Sequence, residues 1–232
     1  MFCAGLLALA AAIYVVSRET SVFAVRRIAV RGAPAPLATQ VRRALEPIQG
    51  TSLLALSAAD VIRRVDGLPG VVDASLNRGF PHTLTLTVRP ERPVAILRRG
   101  GKSWLISARG RAIAQPARGA FPRLPRIWVT PKVDVSLGAT LADQGALRAV
   151  TASVPLATRG FPLSVTAIDT SGGALTLRLL SGLQLRLGST GDLRLKLAVA
   201  RRIVTTLPAG PGYLDVSVPE RPVAGANPQG GG

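Results

Sequence analysis

Residues 68–97 read LPGVVDASLNRGFPHTLTLTVRPERPVAIL, and this stretch decides the fold of the first half of the chain. From Thr83 to Val88, threonine alternates with Leu84, Leu86 and Val88 without a break. That period of two belongs to a strand with one face buried. Just before it, Val72, Ala74 and Leu76 alternate with Asp73, Ser75 and Asn77. The intervening Arg-Gly-Phe-Pro, residues 78–81, supplies the turn, so a β-hairpin is expected.

Working back from the hairpin, FAVRRIAVR at 23–31 reads as a further strand, ended by Gly32 and Pro34. Leu37, Val41, Ala44 and Leu45 then recur at helical spacing, with Pro36 suited to a first turn and Pro47 barring continuation. A second short helix follows. Ser57 and Asp60 have capping-box spacing, Val61, Ile62, Val65 and Leu68 share a face, and Gly67 is placed as the stop. The order is β-α-α-β-β, with both helices expected on one face of the hairpin.

This order is that of a POTRA module, and the stretch from Leu68 to Leu97 resembles the signature of the FtsQ/DivIB family of bacterial cell-division proteins. Leu68-Pro69, Val71, Arg78, Phe80-Pro81, Glu91 and Pro93-Val94 occupy the family positions. The resemblance continues to about residue 224. Gly100-Gly101 and Arg109-Gly110 mark turns of strands, although Ser107 stands where the family usually has Asp. FPRLPRI at 121–127 matches the segment that follows. Residues 141–154 read as an amphipathic helix, and 164–169, 174–180 and 183–187 as strands. A helix marked by Leu193, Leu197, Ala200, Ile203 and Leu207 begins at Asp192 and carries Lys196 on the family's lysine. Tyr213 to Val218, YLDVSV, reads as the last strand.

The expected fold is therefore α+β. A transmembrane anchor at 1–17 precedes a POTRA domain at 22–92, a β-domain with an open sheet and two helices at 93–224, and a disordered tail at 225–232. The uncharged run from Met1 to Ser17 spans about 26 Å as a helix, against a hydrocarbon core of about 30 Å. A cleaved signal peptide is the rival reading, because Ala8-Leu9-Ala10 resembles a cleavage site. The apolar run continues through Val16, which suits an anchor better. No basic segment precedes it, so a tail upstream is expected.

Net charge is +17, from 29 Lys and Arg against 12 Asp and Glu. Such a surplus favours anionic partners. The arginines come as scattered pairs and aromatics make up 4% of residues, so no stacking platform for nucleic acid emerges and none is expected as a partner. His82 is the single histidine and reads as an exposed turn residue; no nucleophile motif accompanies it, so an enzyme is not expected. Cys3 is the single cysteine, and the carboxylates show no metal-type spacing. No catalytic residue, cofactor or metal is assigned. An outer-membrane assembly or two-partner secretion factor, the main alternative, needs a long barrel after its POTRA repeats.

What the resemblance implies is a non-enzymatic divisome scaffold in the inner membrane at the septum, single-pass, with its later domains outside the cytoplasm. The implied partners are FtsB-like and FtsL-like coiled-coil proteins and FtsW/FtsI-type synthases. The family docks the FtsB-like and FtsL-like proteins on its C-terminal strand, here Tyr213, Leu214, Asp215, Val216, Ser217 and Val218 with Pro219, Glu220 and Arg221; Arg78 is the POTRA recruitment candidate. A last strand at a sheet edge invites a partner strand. Tyr213, Val216 and Val218 equally fit core-facing roles, and Arg78 an ordinary exposed arginine. The hexapeptide PERPVA occurs at 90–95 and again at 219–224. The first copy reads as the hinge between domains, and the second as the end of the fold.

Overall fold

The computed structural model describes residues 21–226 except 118, 160, 171–172 and 209. The apolar run at 1–17 and the end of the glycine tail lie outside the described residues. Among the described residues no helix is long and apolar enough to cross a membrane. The chain divides into two compact units between Glu91 and Arg92.

The first unit contains β1 (Arg27–Arg31), α1 (Ala35–Ala44), α2 (Ala58–Asp66), β2 (Val71–Gly79) and β3 (Thr83–Pro90). β3 is central, antiparallel to β2 and parallel to β1. Register sets Ile28 and Val30 beside Leu84 and Leu86, so one face of the sheet is continuous and apolar. Leu84, Leu86 and Val88 bury that face against Val41, Leu45 and Val65.

Local chemistry explains the boundaries. Ser57 Oγ accepts the N–H of Asp60 at 3.3 Å, which caps α2. The carboxylate of Asp60 pairs with Arg63 at 2.9 Å instead of reaching back to the cap, so only half of the box forms. Gly67 ends the helix in right-handed conformation; the left-handed glycine is Gly70, at φ 84°, where the chain turns into β2. The strand expected from Phe23 begins only at Arg27. Ahead of it the backbone pairs elsewhere: Val25 N donates to Thr51 O and Leu53 N to Phe23 O. Arg26 and Arg27 both donate to His82 O, which swings the chain over to β3.

The second unit runs β4 (Pro93–Arg99), β5 (Lys102–Ser107), β6 (Ala112–Ala114), β7 (Arg126–Trp128), α3 (Gln144–Arg159), β8 (Val165–Asp169), β9 (Leu175–Leu179), β10 (Leu183–Gly188), α4 (Leu193–Val204), β11 (Gly212–Asp215) and β12 (Val223–Ala226). These strands make one nine-stranded sheet in the order β12-β11-β10-β9-β8-β7-β4-β5-β6. α3 packs on β4 and β7, and α4 on β10. Their buried residues, among them Ala149, Leu197 and Ala200, meet Leu97, Ile127, Ile168, Leu177, Leu185 and Leu214 in one core. The sheet's other face carries a small cluster of Ile96, Leu105 and Ile113.

Two details answer the sequence reading. α3 starts at Gln144, not at 141, because Asp143 Oδ1 accepts the N–H of Ala146 at 2.7 Å and so caps the helix. Ser107 closes its turn itself: its hydroxyl accepts the N–H of Arg111 at 3.4 Å, and its carbonyl accepts the N–H of Gly110 at 2.9 Å.

Leu86 has no exposed surface at the centre of the first sheet. Leu86→Ala is expected to cost about 2–5 kcal/mol. Urea unfolding followed on the first unit would show the lowered midpoint; an unchanged midpoint would contradict the core described.

Candidate partner-binding edge

The two ends of the nine-stranded sheet are treated differently. At β6, Ala112 N donates to Ala139 O at 3.0 Å and Gly138 N donates to Ala112 O at 2.7 Å. Arg111 Nε donates to Gly138 O at 2.6 Å and fastens the same loop from its side chain. That edge is covered. At the other end β12 pairs with β11 alone, and among the described residues nothing pairs with its outer side.

The strand expected at the edge is therefore not there. β11 lies between β10, which it joins in parallel, and β12, which it joins antiparallel. It also stops at Asp215 rather than Val218. Asp215 Oδ1 accepts from Ser217 N at 2.9 Å and from Ser217 Oγ at 2.6 Å, an Asx turn that bends the chain out of the ladder. Arg221 N donates to Val218 O at 3.0 Å, and the reversed chain returns as β12. Residues 225 and 226, expected in a disordered tail, belong to this strand.

Each residue of the expected site can be placed. Leu214 and Val216 are fully buried in the core under the helices. Tyr213 and Asp215 are half-buried; Ser217, Val218, Glu220 and Arg221 are exposed in the turn, with Pro219 half-buried among them. The guanidinium of Arg186 stacks over the Tyr213 ring, 4.2 Å from its centroid. On the ring's other flank a Cβ on Gly225 would come within 2.9 Å of the Tyr213 hydroxyl. Gly225 is thus the residue that lets the ring lie across β12. Gly212 serves the same join from the other strand, since its Cβ would meet Gly225 O at 2.9 Å.

Backbone direction follows from one bond. Val216 N donates to Arg186 O at 2.9 Å, so residue 216 faces β10 with its hydrogen-bonding groups. Alternation then turns Leu214 towards β10, and Tyr213 and Asp215 towards β12. Through the register, Gly225 and Val223 answer them, which leaves the N–H and C=O groups of Ala224 and Ala226 pointing outward. Val223 and Val218, each 54% exposed, flank this edge. A hollow of about 380 Å³ lies at its far end, lined by Leu183, Leu207, Pro208, Pro211 and Tyr213.

The other candidates each have a hydrogen-bond partner within their own unit. Arg78 is half-buried, and its Nη2 donates to Leu56 O at 2.7 Å, tying β2 to the segment before α2. His82 is half-buried rather than exposed, with Nδ1 3.2 Å from Ala24 O. Lys196 is 4% exposed, and its Nζ donates to Ser189 O at 3.0 Å and Ser189 Oγ at 3.3 Å. Among the described residues, no three His, Cys, Asp or Glu side chains converge as a metal site would require. Sequence reasoning missed β12. Its one signal was the repeated hexapeptide, because in the first copy too the Val-Ala pair lies in a new strand, β4.

A β-α-α-β-β unit followed by a nine-stranded open sheet with two helices defines a POTRA module joined to a β-domain. Residues 23–90 match the family described as POTRA domain, FtsQ-type, and residues 95–217 match Cell division protein FtsQ/DivIB, C-terminal. The chain belongs to the FtsQ/DivIB family. It is 28% identical over 105 residues to proteins named Cell division protein FtsQ from two strains of Caulobacter vibrioides, covering 45% of this chain and 35% of theirs. The match thus spans about a third of the length of these relatives. β12 falls beyond the end of the family match at residue 217.

Two outcomes are expected. Gly212→Ala forces β12 away from β11, and amide exchange at Val223 and Gly225, the two β12 amides that face β11, is predicted to accelerate while β9 and β10 keep their protection. Unchanged exchange would contradict the close approach. Arg78→Ala leaves Leu56 O without its charged partner and is predicted to cost about 1–3 kcal/mol, read as a lower melting temperature of the first unit.

Proposed function

We propose that the chain is a non-enzymatic scaffold of bacterial cell division that captures a partner strand on the outer edge of β12. The observation that carries this reading is the unequal treatment of the sheet's ends: a loop seals β6, whereas among the described residues nothing pairs with the outward backbone groups of β12. A bare edge is a standing liability for association, and sheets without a use for one blunt it. Strand addition satisfies those groups, and pockets beside the edge give side-chain specificity. Exposed Val218 and Val223, with Glu220 and Arg221 in the turn, offer that surface here.

The family suggests the occupants, FtsB-like and FtsL-like proteins, with FtsW/FtsI-type synthases in the wider assembly. Residues 1–17 serve as a single-pass anchor in the inner membrane, which leaves both units outside the cytoplasm at the septum. The POTRA module localises the chain, with Arg78 and the exposed Phe80 beside it as its contact region.

The test is co-purification of the full chain with the FtsB-like protein of the same genome. A proline at Val216 is unsuitable, since the N–H there holds β11 to β10. Ala224→Pro removes an outward donor and leaves the β11 ladder whole, so it is predicted to abolish capture without unfolding the domain. Capture at parental strength by Ala224→Pro would sink the edge-strand mechanism.

A further inference from the structure

The sheet face opposite the helices holds a cleft of about 510 Å³, far from β12 in strand order, between the β4–β5 hairpin and the segment after β6. Arg98, Lys102 and Arg126 line it, along with Ser103 and Gln115, and no carboxylate appears among its described lining residues. Register explains the clustering. Arg98 lies beside Trp128 and Ser103, and Arg126 beside Ile96, on neighbouring strands of one face. Cations set this close repel one another unless an anion sits between them.

Arg98 is the best prepared of the three. Its guanidinium lies over the Trp128 ring, 4.7 Å from the centroid, so an aromatic face braces it before any ligand arrives. Its Nε is buried and has no hydrogen-bond partner among the described residues. A buried donor without a partner carries a cost, so the described residues leave this guanidinium's hydrogen-bonding capacity incompletely met. A braced planar fork with flanking cations is the arrangement that recognises phosphate oxygens.

We propose that this cleft binds a phosphate-type oxyanion, held by Arg98 and Arg126 with Lys102 at the rim. Phosphate of this kind can reach the cleft on a lipid headgroup or as a soluble phosphate, and the chemistry of recognition is shared. The site is separate from the β12 edge and does not rest on the partner-capture reading.

The chain has two tryptophans; Trp104 is 3% exposed and Trp128 58% exposed, so a surface ligand at Arg98 changes the emission of Trp128. Inorganic pyrophosphate titrated into the full chain at constant ionic strength is predicted to give a saturable fluorescence change, absent in Trp128→Phe. Each of Arg98→Gln and Arg126→Gln is predicted to weaken binding about tenfold, the loss of one bond to a charged group. Lys102→Gln, at an exposed side chain that the fold does not need, weakens it by less and guards against misfolding of the other variants. Competition by short-chain phosphatidylglycerol but not phosphatidylcholine would identify a lipid source, and failure of both to compete a soluble one; each supports the phosphate site. A response that does not saturate, or one equal in the parent and the Arg98→Gln/Arg126→Gln double variant, would overturn it.

Discussion

Every interior strand of a β-sheet gives its backbone N–H and C=O groups to two neighbours, and the strands at the ends have only one. In the second unit this constraint organises both termini of the sheet. β6 is three residues long and receives the loop carrying Gly138 and Ala139, so its debt is settled within the chain. β12 is four residues long and has no such cover among the described residues. The asymmetry lies in backbone hydrogen bonding rather than side-chain chemistry.

β12 itself depends on close approach more than on apolar burial. Val223, Ala224 and Ala226 are exposed, so the strand contributes little to the core. It is held by its ladder to β11, by the Asx turn at Asp215, and by two glycines that let backbone and ring come near. The Tyr213 ring, between Arg186 and Gly225, links the edge to β10. An edge held this lightly can adjust to an incoming strand, whereas β11 beneath it is fixed by the buried Leu214 and Val216.

Much of the architecture was legible in the sequence because local period and burial agree there. The alternation at 83–88 became β3, with Leu84, Leu86 and Val88 inward, and Ser57 capped its helix as its position implied. The hairpin around Ser181-Gly182 was equally plain. What local reading missed depends on long-range pairing. The parallel joins β4–β7, β7–β8 and β10–β11 leave no mark in residue spacing. β12 escaped because Val-Ala-Gly-Ala has neither alternation nor bulk, and its strand character comes from docking on β11. Tyr213–Val218 was therefore assigned the edge that Val223–Ala226 occupies. The recurrence of Pro-Val-Ala at the approach to a new strand was the one available hint.

The direct measurement is amide exchange of the chain, free and with the FtsB-like protein proposed as its partner, resolved at single residues across 212–226. Strand addition predicts new protection at the amides of Ala224 and Ala226, with those of Gly225 and Val223 already protected in the free chain. A complex that forms with no gain of protection at Ala224 and Ala226 would contradict capture on the β12 edge.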